Sequence, residues 1–398
     1  MLEYEEALAR ILAGAEPLAA EPIALTDAAG RTLAAPVTAK RDQPPFDASA
    51  MDGYAVRWSD LPGPFRLIGE SAAGSAFDGK VGKGETVRIF TGAAVPVGAD
   101  TVVVQEEVAA SGGTIEISGD GPPRQGAHIR PCGFDFTAGS ALIEAGQRLS
   151  PRHLALAAAA GHGELAVHRR PRITLIANGD ELVPPGETPA PGQITASSSA
   201  VIAAQLRAAG AEVCDAGIIP DDAEALAAAL ISAADTSDLI ITMGGASVGD
   251  HDHMHTAMDS AGAQRDFWRI AIRPGKPLIH GQIDKARLLG LPGNPVSAYV
   301  CALLFAEPLI RAWQNQASGE QTITMPLAAS VDANDRRRDH LRAEIMDGTV
   351  RPLSTQDSSQ LAILARADAL IVRPPHAPAA EPGTAVPVML LDKAWRAA

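Results

Sequence analysis

Cysteine is scarce in this chain. Three stand in 398 residues, Cys132, Cys214 and Cys301, and no two share a C-x-x-C spacing. That argues against a disulfide framework and against a structural zinc site, and a reducing, cytoplasmic setting is expected. Basic clusters are missing too: acidic residues outnumber basic ones 47 to 33, a net charge of -14, with no long Lys/Arg block. Such a chain lacks the electrostatic footprint of nucleic-acid binding, so neither nucleic acid nor an anionic membrane is an expected partner. No apolar run approaches the ~20 residues of a membrane span. The opening MLEYEEALARILAGAEP is acidic and amphipathic, the opposite of a basic n-region ahead of an apolar stretch, so no targeting segment is expected either.

What is present is enough apolar residue, 46% of the chain, to fill real cores, and enough length for about two to four domains. Leu2, Ala7, Leu8, Ile11 and Leu12 recur at helical spacing until Gly14 and Pro17. Residues 21–139 are rich in Gly and Pro, with short extended runs such as TVRIF, DTVVVQEEV and TIEIS, and predict an inserted β-rich module. SPRHLALAAAAGHGELAVH supplies an N-cap Ser150, a Pro at the first helical position and a small-residue helix. This connector is expected to return to the first helix, giving a segmented elongated domain of residues 1–20 and 140–170. From 172 onward ITLIA, SAVIAAQLRAAG, EVCDAGII, DDAEALAAALISAA and DLIITMGG alternate strand with helix. The fold class predicted is therefore multi-domain α/β plus β, with a doubly wound, mostly parallel sheet over 171–317. A long apolar helix opened by Pro295 closes that domain, and short extended runs over 318–398 predict a small all-β terminal domain.

Ligands of a doubly wound sheet sit beyond the carboxyl ends of its strands, so the residues that follow each strand are the first candidates. The first strand leads into NGDELVPPG, with Asn178, Asp180 and Glu181; a turn or cap role is the simpler reading for either acid alone. The second leads into IIPDD, where Asp221 or Asp222 is a natural helix N-cap. After the third comes MGGASVGDHDHMH: Gly244 and Gly245 let backbone amides approach an oxyanion, Ser247 adds a hydroxyl, and Asp250 and Asp252 are acids for a divalent cation. The alternating His251, His253 and His255 lack the convergence of a zinc site. AIRPGKPL sets Arg273 and Lys276 about a Pro-Gly turn, suited to an oxyanion. LPGNPVSA adds Pro292, a helix start capped by Asn294, Pro295 at its first turn, and Ser297. Anion loops and carboxylates at one sheet edge point to nucleotide or phosphoester chemistry assisted by a divalent cation.

These loops, together with FDASAMDGYAVR, RIFTGAAVPVGADTVVVQEE, GDELVPPGETPAPGQI and GGASVGDHD in that order, resemble the molybdopterin molybdenumtransferases, the MoeA family related to the gephyrin E domain. The resemblance covers essentially the whole chain. It implies a central domain like the molybdopterin adenylyltransferases, an elongated homodimer, and a cleft shared between subunits. The implied reaction takes adenylylated molybdopterin and molybdate, releases AMP with the help of Mg2+ and inserts molybdenum into the dithiolene. Carried over by motif, the catalytic positions are Asp52, Thr91, Asp135, Glu181, Asp221 and Asp252, with Glu181 and Asp252 on the metal. Gly244, Gly245, Ser247, Arg273, Lys276, Pro292, Asn294, Pro295, Ser297 and Ser358 are the implied ligand and molybdate contacts. The family's GED reads GFD at Phe134–Asp135, its Ser-Thr before GDEL reads Ala177–Asn178, its SGGVS reads MGGAS, and its Gly-Ser turn reads Asp357–Ser358. Arg273 replaces a common lysine. The rival activities are adenylylation of molybdopterin by ATP, a catalytically weakened paralogue, and an interaction scaffold. Beyond a second copy of the chain, the candidate partners are a molybdopterin adenylyltransferase and molybdoenzyme-maturation proteins. In PFDASAMDGY, Asp47 reads as a turn or cap residue before Ser49 and Asp52 as the acid offered to the cleft.

Overall fold

The computed structural model describes residues 1–244 and 253–391. The chain forms two compact units, Pro22–Val167 and the combination of Met1–Glu21 with His168–Ala398.

In the larger unit the central sheet runs Glu212–Ile219, Arg172–Asn178, Leu239–Met243, Ala286–Leu291, Pro277–Ile283, Gln264–Arg269. The first four strands are parallel, and the last two antiparallel. Alternate side chains explain the layers. Ile173, Leu175, Leu239, Ile241 and Leu289 enter one core with the helices Ser197–Ala208 and Pro295–Cys301, whereas Ile176, Ile240 and Leu288 enter another with Ala223–Ala234 and His253–Ser260. Each such fully buried aliphatic side chain stabilises by about 1.5–3 kcal/mol. The predicted doubly wound sheet is thus present, with Asp222 capping the helix Ala223–Ala234 through a bond from the Ala225 amide (2.8 Å).

The first helix, Tyr4–Leu12, buries Tyr4, Ala7 and Ile11 in the core shared with Pro295–Trp313, and its Tyr4 ring lies 5.7 Å from Phe305. Its last carbonyls are met by Arg287, which donates to Ile11 (2.9 Å) and Ala13 (2.6 Å). Of the segment expected to return to this region, residues 168–169 reach the stretch after the helix: the Arg169 amide donates to the Ala19 carbonyl (2.9 Å) and His168 Nδ1 bonds the Leu18 carbonyl (2.7 Å). The helix Pro151–Ala159 packs with Leu33, Val37, Ile143 and Leu165 in the smaller unit, opened by a bond from the Ser150 amide to His153 Nδ1 (3.0 Å).

The helix opened by Pro295 carries a π-helical stretch, Ala302–Ala306, which sequence periodicity did not show. Pro308 follows it, and a proline lacks the N–H that would bond four residues back, so the ladder widens ahead of it. Among the described residues this 19-residue helix, Pro295–Trp313, is long and apolar enough to cross a membrane, contrary to the reading that no run came near. It is a core helix, with 78% of its apolar window buried.

The terminal domain is a six-stranded sheet containing Ile323–Pro326, Arg338–Met346, Thr349–Pro352, Ala369–Arg373 and Ala385–Leu390. It departs from the all-β expectation in two ways. A short helix, Leu361–Arg366, is present, and the sheet takes its sixth strand, Ile272–Arg273, from the sheet domain. His340 lies buried in it against the Tyr4 ring. Burial first, then the charge of Arg338, pushes this imidazole down to about 3. Below the unfolded value of about 6.5 the unfolded chain takes up a proton that the folded chain refuses until about 3. Stability is therefore lost as pH falls through that window. His340→Phe should recover about 2 kcal/mol of the difference between pH 8 and pH 5, checked by urea unfolding of both proteins at the two pH values; equal pH dependence would contradict it.

The smaller unit is built on a sheet ordered Thr101–Val104, Gly53–Val56, Glu85–Ile89, Phe65–Ser71, Thr114–Ile117, Val108–Ser111. It is antiparallel except where Phe65–Ser71 meets Glu85–Ile89. The predicted β-rich character of residues 21–139 is present in it.

Candidate functional site

A cavity of about 600 Å3 opens where three parallel strands end. Ala177 and Asn178 close the first strand, Met243 and Gly244 the third, and Pro292 and Gly293 follow Ala286–Leu291; all line it. The loop after the first strand adds Glu181. Thr195 lines it from the short strand Ile194–Thr195, and Ser197, Ser198 and Ser199 from the start of the helix Ser197–Ala208. Arg273 and Lys276 enter from their turn, Asn294, Pro295 and Ser297 from the next helix start, and Arg337, Gln356 and Ser358 from the terminal domain.

Local backbone requirements explain part of this placement. Gly244 has φ +100°, and a Cβ there would run into the carbonyl oxygen of Asn178, so the third strand can leave the sheet only through glycine. Pro295 fixes the first turn of its helix, whose Ala298 amide already bonds to Asn294 (2.9 Å). The side chain of Asn294 is not the cap expected: its Nδ2 donates to Ser358 Oγ (3.0 Å). That bond ties the helix start to the terminal domain and brings Ser358 to the cavity.

The two cations of the Arg273–Lys276 turn differ in state. Arg273 donates from one amino group to Asp335 Oδ2 (2.5 Å) and its other amino group is ion-paired with Asp339 Oδ2 (3.2 Å), while Arg337 donates to the same Asp335 oxygen (3.1 Å). Bonds from the Arg337 side chain and amide, with Arg273 nearby, hold the Asp335 carboxyl down at about 2. Asp339 moves the other way, because burial outweighs the attraction of Arg273. Lys276 is exposed and has no carboxylate partner among the described residues. The expected free pair of cations is therefore one neutralised arginine and one available lysine.

Asp221 does not line the cavity. Its Oδ1 accepts from Asn178 Nδ2 (2.7 Å) and its amide donates to Asp180 Oδ1 (3.1 Å), a lock that sets the path of the loop leading to Glu181. Gly245, Ser247, Asp250, His251 and Asp252 lie outside the described residues. His255 is bonded to Arg265 (2.8 Å), and no group of three or more metal-ligating side chains occurs among the described residues.

In the smaller unit Asp52 and Thr91 are together. Asp52 Oδ1 accepts from the Thr91 amide (2.7 Å) and hydroxyl (2.8 Å), and these two donors hold its carboxyl below the usual range. Asp135 is not part of this pair: it is exposed, and its carboxylate accepts no hydrogen bond among the described residues. Asp47 is no local turn. Its Oδ1 accepts from the Cys132 amide (2.8 Å), 85 residues away, while Ser49 makes the turn itself through its bond to Met51 (2.6 Å).

Sequence reasoning missed Thr195, the serines 197–199, Arg337 and Gln356. The run SSS opening a helix pattern was a usable signal, because helix starts favour serine. Nothing local marks Gln356, which reaches the wall through bonds between its side-chain amide and the backbone of Arg342 (2.9 and 3.0 Å).

This architecture defines a class: multi-domain α/β proteins with a polar cavity at the carboxyl ends of the parallel strands of their central sheet. Comparison with known proteins narrows it. Residues 2–161 match the MoeA N-terminal region (domain I and II), 174–312 a probable molybdopterin binding domain, and 324–391 the MoeA C-terminal region (domain IV). A molybdopterin molybdenumtransferase of Haemophilus influenzae is 38% identical over 320 residues, covering 79% of this chain and 78% of that protein. One from Bacillus subtilis is 32% identical over 404 residues, covering 98% and 94%. A molybdopterin biosynthesis MoeA protein of Pyrococcus horikoshii, a solved structure, superposes with a TM-score of 0.85 at 29% identity, covering 98% of this chain and 99% of that one. The chain belongs to the MoeA family.

Proposed function

We propose that this protein is a molybdopterin molybdenumtransferase, which takes adenylylated molybdopterin and molybdate, releases AMP, and yields molybdenum cofactor. The observation that carries the reading is the single cavity gathering Glu181, Lys276, a helix start and a serine-lined helix start at one sheet edge. Amides at the start of the helix opened by Pro295 and the Lys276 ammonium are suited to hold oxyanions. The hydroxyls of Ser197–Ser199 are suited to orient a polar ligand against the Met243 and Ala177 wall. Mg2+ commonly takes one or two carboxylates together with substrate phosphate oxygens, and Glu181 is the carboxylate the described wall provides. When bound there, such a cation would neutralise charge developing on the phosphate.

The test is direct. Purified protein given adenylylated molybdopterin, molybdate and Mg2+ should form cofactor and release AMP without ATP, whereas ATP consumption would favour the adenylyltransferase reading. Glu181→Gln and Asp52→Asn should each slow AMP release by at least about tenfold.

We further propose a cytoplasmic homodimer in which Asp52 and Thr91 of one copy complete the cavity of the other. Support comes from the separate unit that holds this pair and from the unpaired state of all three cysteines. If the site is shared, mixing Asp52→Asn with Glu181→Gln protein should restore about a quarter of wild-type activity, since half the dimers are mixed and each holds one intact site. No recovery in a preparation shown by light scattering to contain exchanged dimers would refute the shared site.

A further inference from the structure

Three cationic side chains line the cavity, Arg273, Lys276 and Arg337. We propose that Asp335 sets how tightly this cavity takes oxyanions, by holding two of its three cationic walls against one carboxylate oxygen. The inference rests on the oxyanion reading above.

Asp335 Oδ2 accepts from Arg273 (2.5 Å) and from Arg337 (3.1 Å). Held at about 2, the carboxyl stays ionised throughout the neutral range. Asp339 adds a second, buried carboxylate on Arg273. Of the three cations, only Lys276 meets an arriving anion without a competing carboxylate among the described residues. A divalent oxyanion must share Arg273 and Arg337 with Asp335, and its affinity is kept correspondingly low. An anion that is a reactant and must leave the cavity within a product gains from such a setting.

The turn carrying Asp335 does not depend on its charge. Asn334 anchors the turn by donating from Nδ2 to the carbonyls of Arg337 (2.7 Å), Arg373 (3.0 Å) and Pro374 (2.9 Å), and its Oδ1 accepts from the Asp335 amide (2.9 Å). An asparagine at 335 can still accept, through Oδ1, the Arg337 amide bond that the aspartate makes at 2.7 Å. Asp335→Asn therefore removes the charge and keeps the shape.

Tungstate is the probe, titrated calorimetrically into the full chain at low salt for wild type, Asp335→Asn, and Asp335→Asn combined with Arg337→Gln. Removing the negative charge that competes for Arg273 and Arg337 is expected to tighten tungstate binding by roughly tenfold, since like charge near the anion opposes its binding. That gain should shrink as ionic strength rises and should be smaller in the double variant. A purely structural latch predicts a lowered melting temperature with affinity unchanged. Unchanged or weaker tungstate binding by Asp335→Asn, with wild type binding normally, overturns the inference alone. Absence of binding by every chain overturns it together with the oxyanion reading, which AMP release and cofactor formation test separately.

Discussion

Replacing Lys276 with alanine is expected to slow molybdenum insertion by about 10²–10³-fold, the loss seen when one preorganised donor is removed from a site that stabilises developing anionic charge. The size follows from the state of its neighbours. Arg273 and Arg337 share Asp335, and Arg273 is also tied to Asp339, so neither can replace the missing ammonium without breaking an ion pair. Lys276→Arg should recover part of the rate, since the charge returns with a different reach and geometry. Steady-state AMP release with molybdate varied would show whether the loss falls on kcat or on the apparent affinity for the oxyanion. Near-wild-type turnover by the alanine variant would remove Lys276 from the reaction.

The second large effect is on stability. Gly53 follows Asp52 in a strand flanked on both sides, pairing with Ile89 and Val104. A Cβ at Gly53 would fall on the carbonyl of Val103, a backbone atom in the adjoining strand that cannot rotate away. Gly53→Ala should therefore cost the Pro22–Val167 unit about 3 kcal/mol or more, as severe overpacking does, and lower its melting transition by roughly 10 °C. The effect reaches the candidate site as well, because displacing this strand moves Asp52 from the Thr91 amide and hydroxyl that hold it. Calorimetry of the variant would measure the shift; an unchanged transition would mean that the two strands can part without cost.

What could be read in advance was what depends on local spacing. The strand and helix alternation of the sheet domain follows from periodicity, and Pro295 marks its helix start because proline at the first turn needs no distant partner. The strand ends likewise named Glu181 and Gly244, which line the cavity edge. What depended on distant pairing was not legible. Ile272–Arg273 joins the terminal sheet beside Arg338 and Asp339, and that pairing puts Arg273 next to the carboxylates that neutralise it. Arg337 reaches the cavity beside that pairing, Gln356 through the Arg342 backbone, and Ser358 through Asn294. Asp47 and Asp52, alike in sequence, separate because one meets the Cys132 amide and the other meets Thr91. The π-helical stretch before Pro308 escaped for a simpler reason: periodicity detects which face is apolar, not which carbonyl has lost its donor.

The strand Ile272–Arg273 belongs at once to the cavity wall and to the terminal sheet, so a ligand that fixes the first also holds the second. Ligand occupancy and the opening of the terminal domain are then thermodynamically linked, and a ligand at 100 times its Kd would raise the cost of that opening by about 2.7 kcal/mol. Amide exchange along Arg338–Met346, remote in sequence from the sheet domain, should slow by the corresponding factor of about one hundred. The terminal sheet would in that way report whether the cavity is filled.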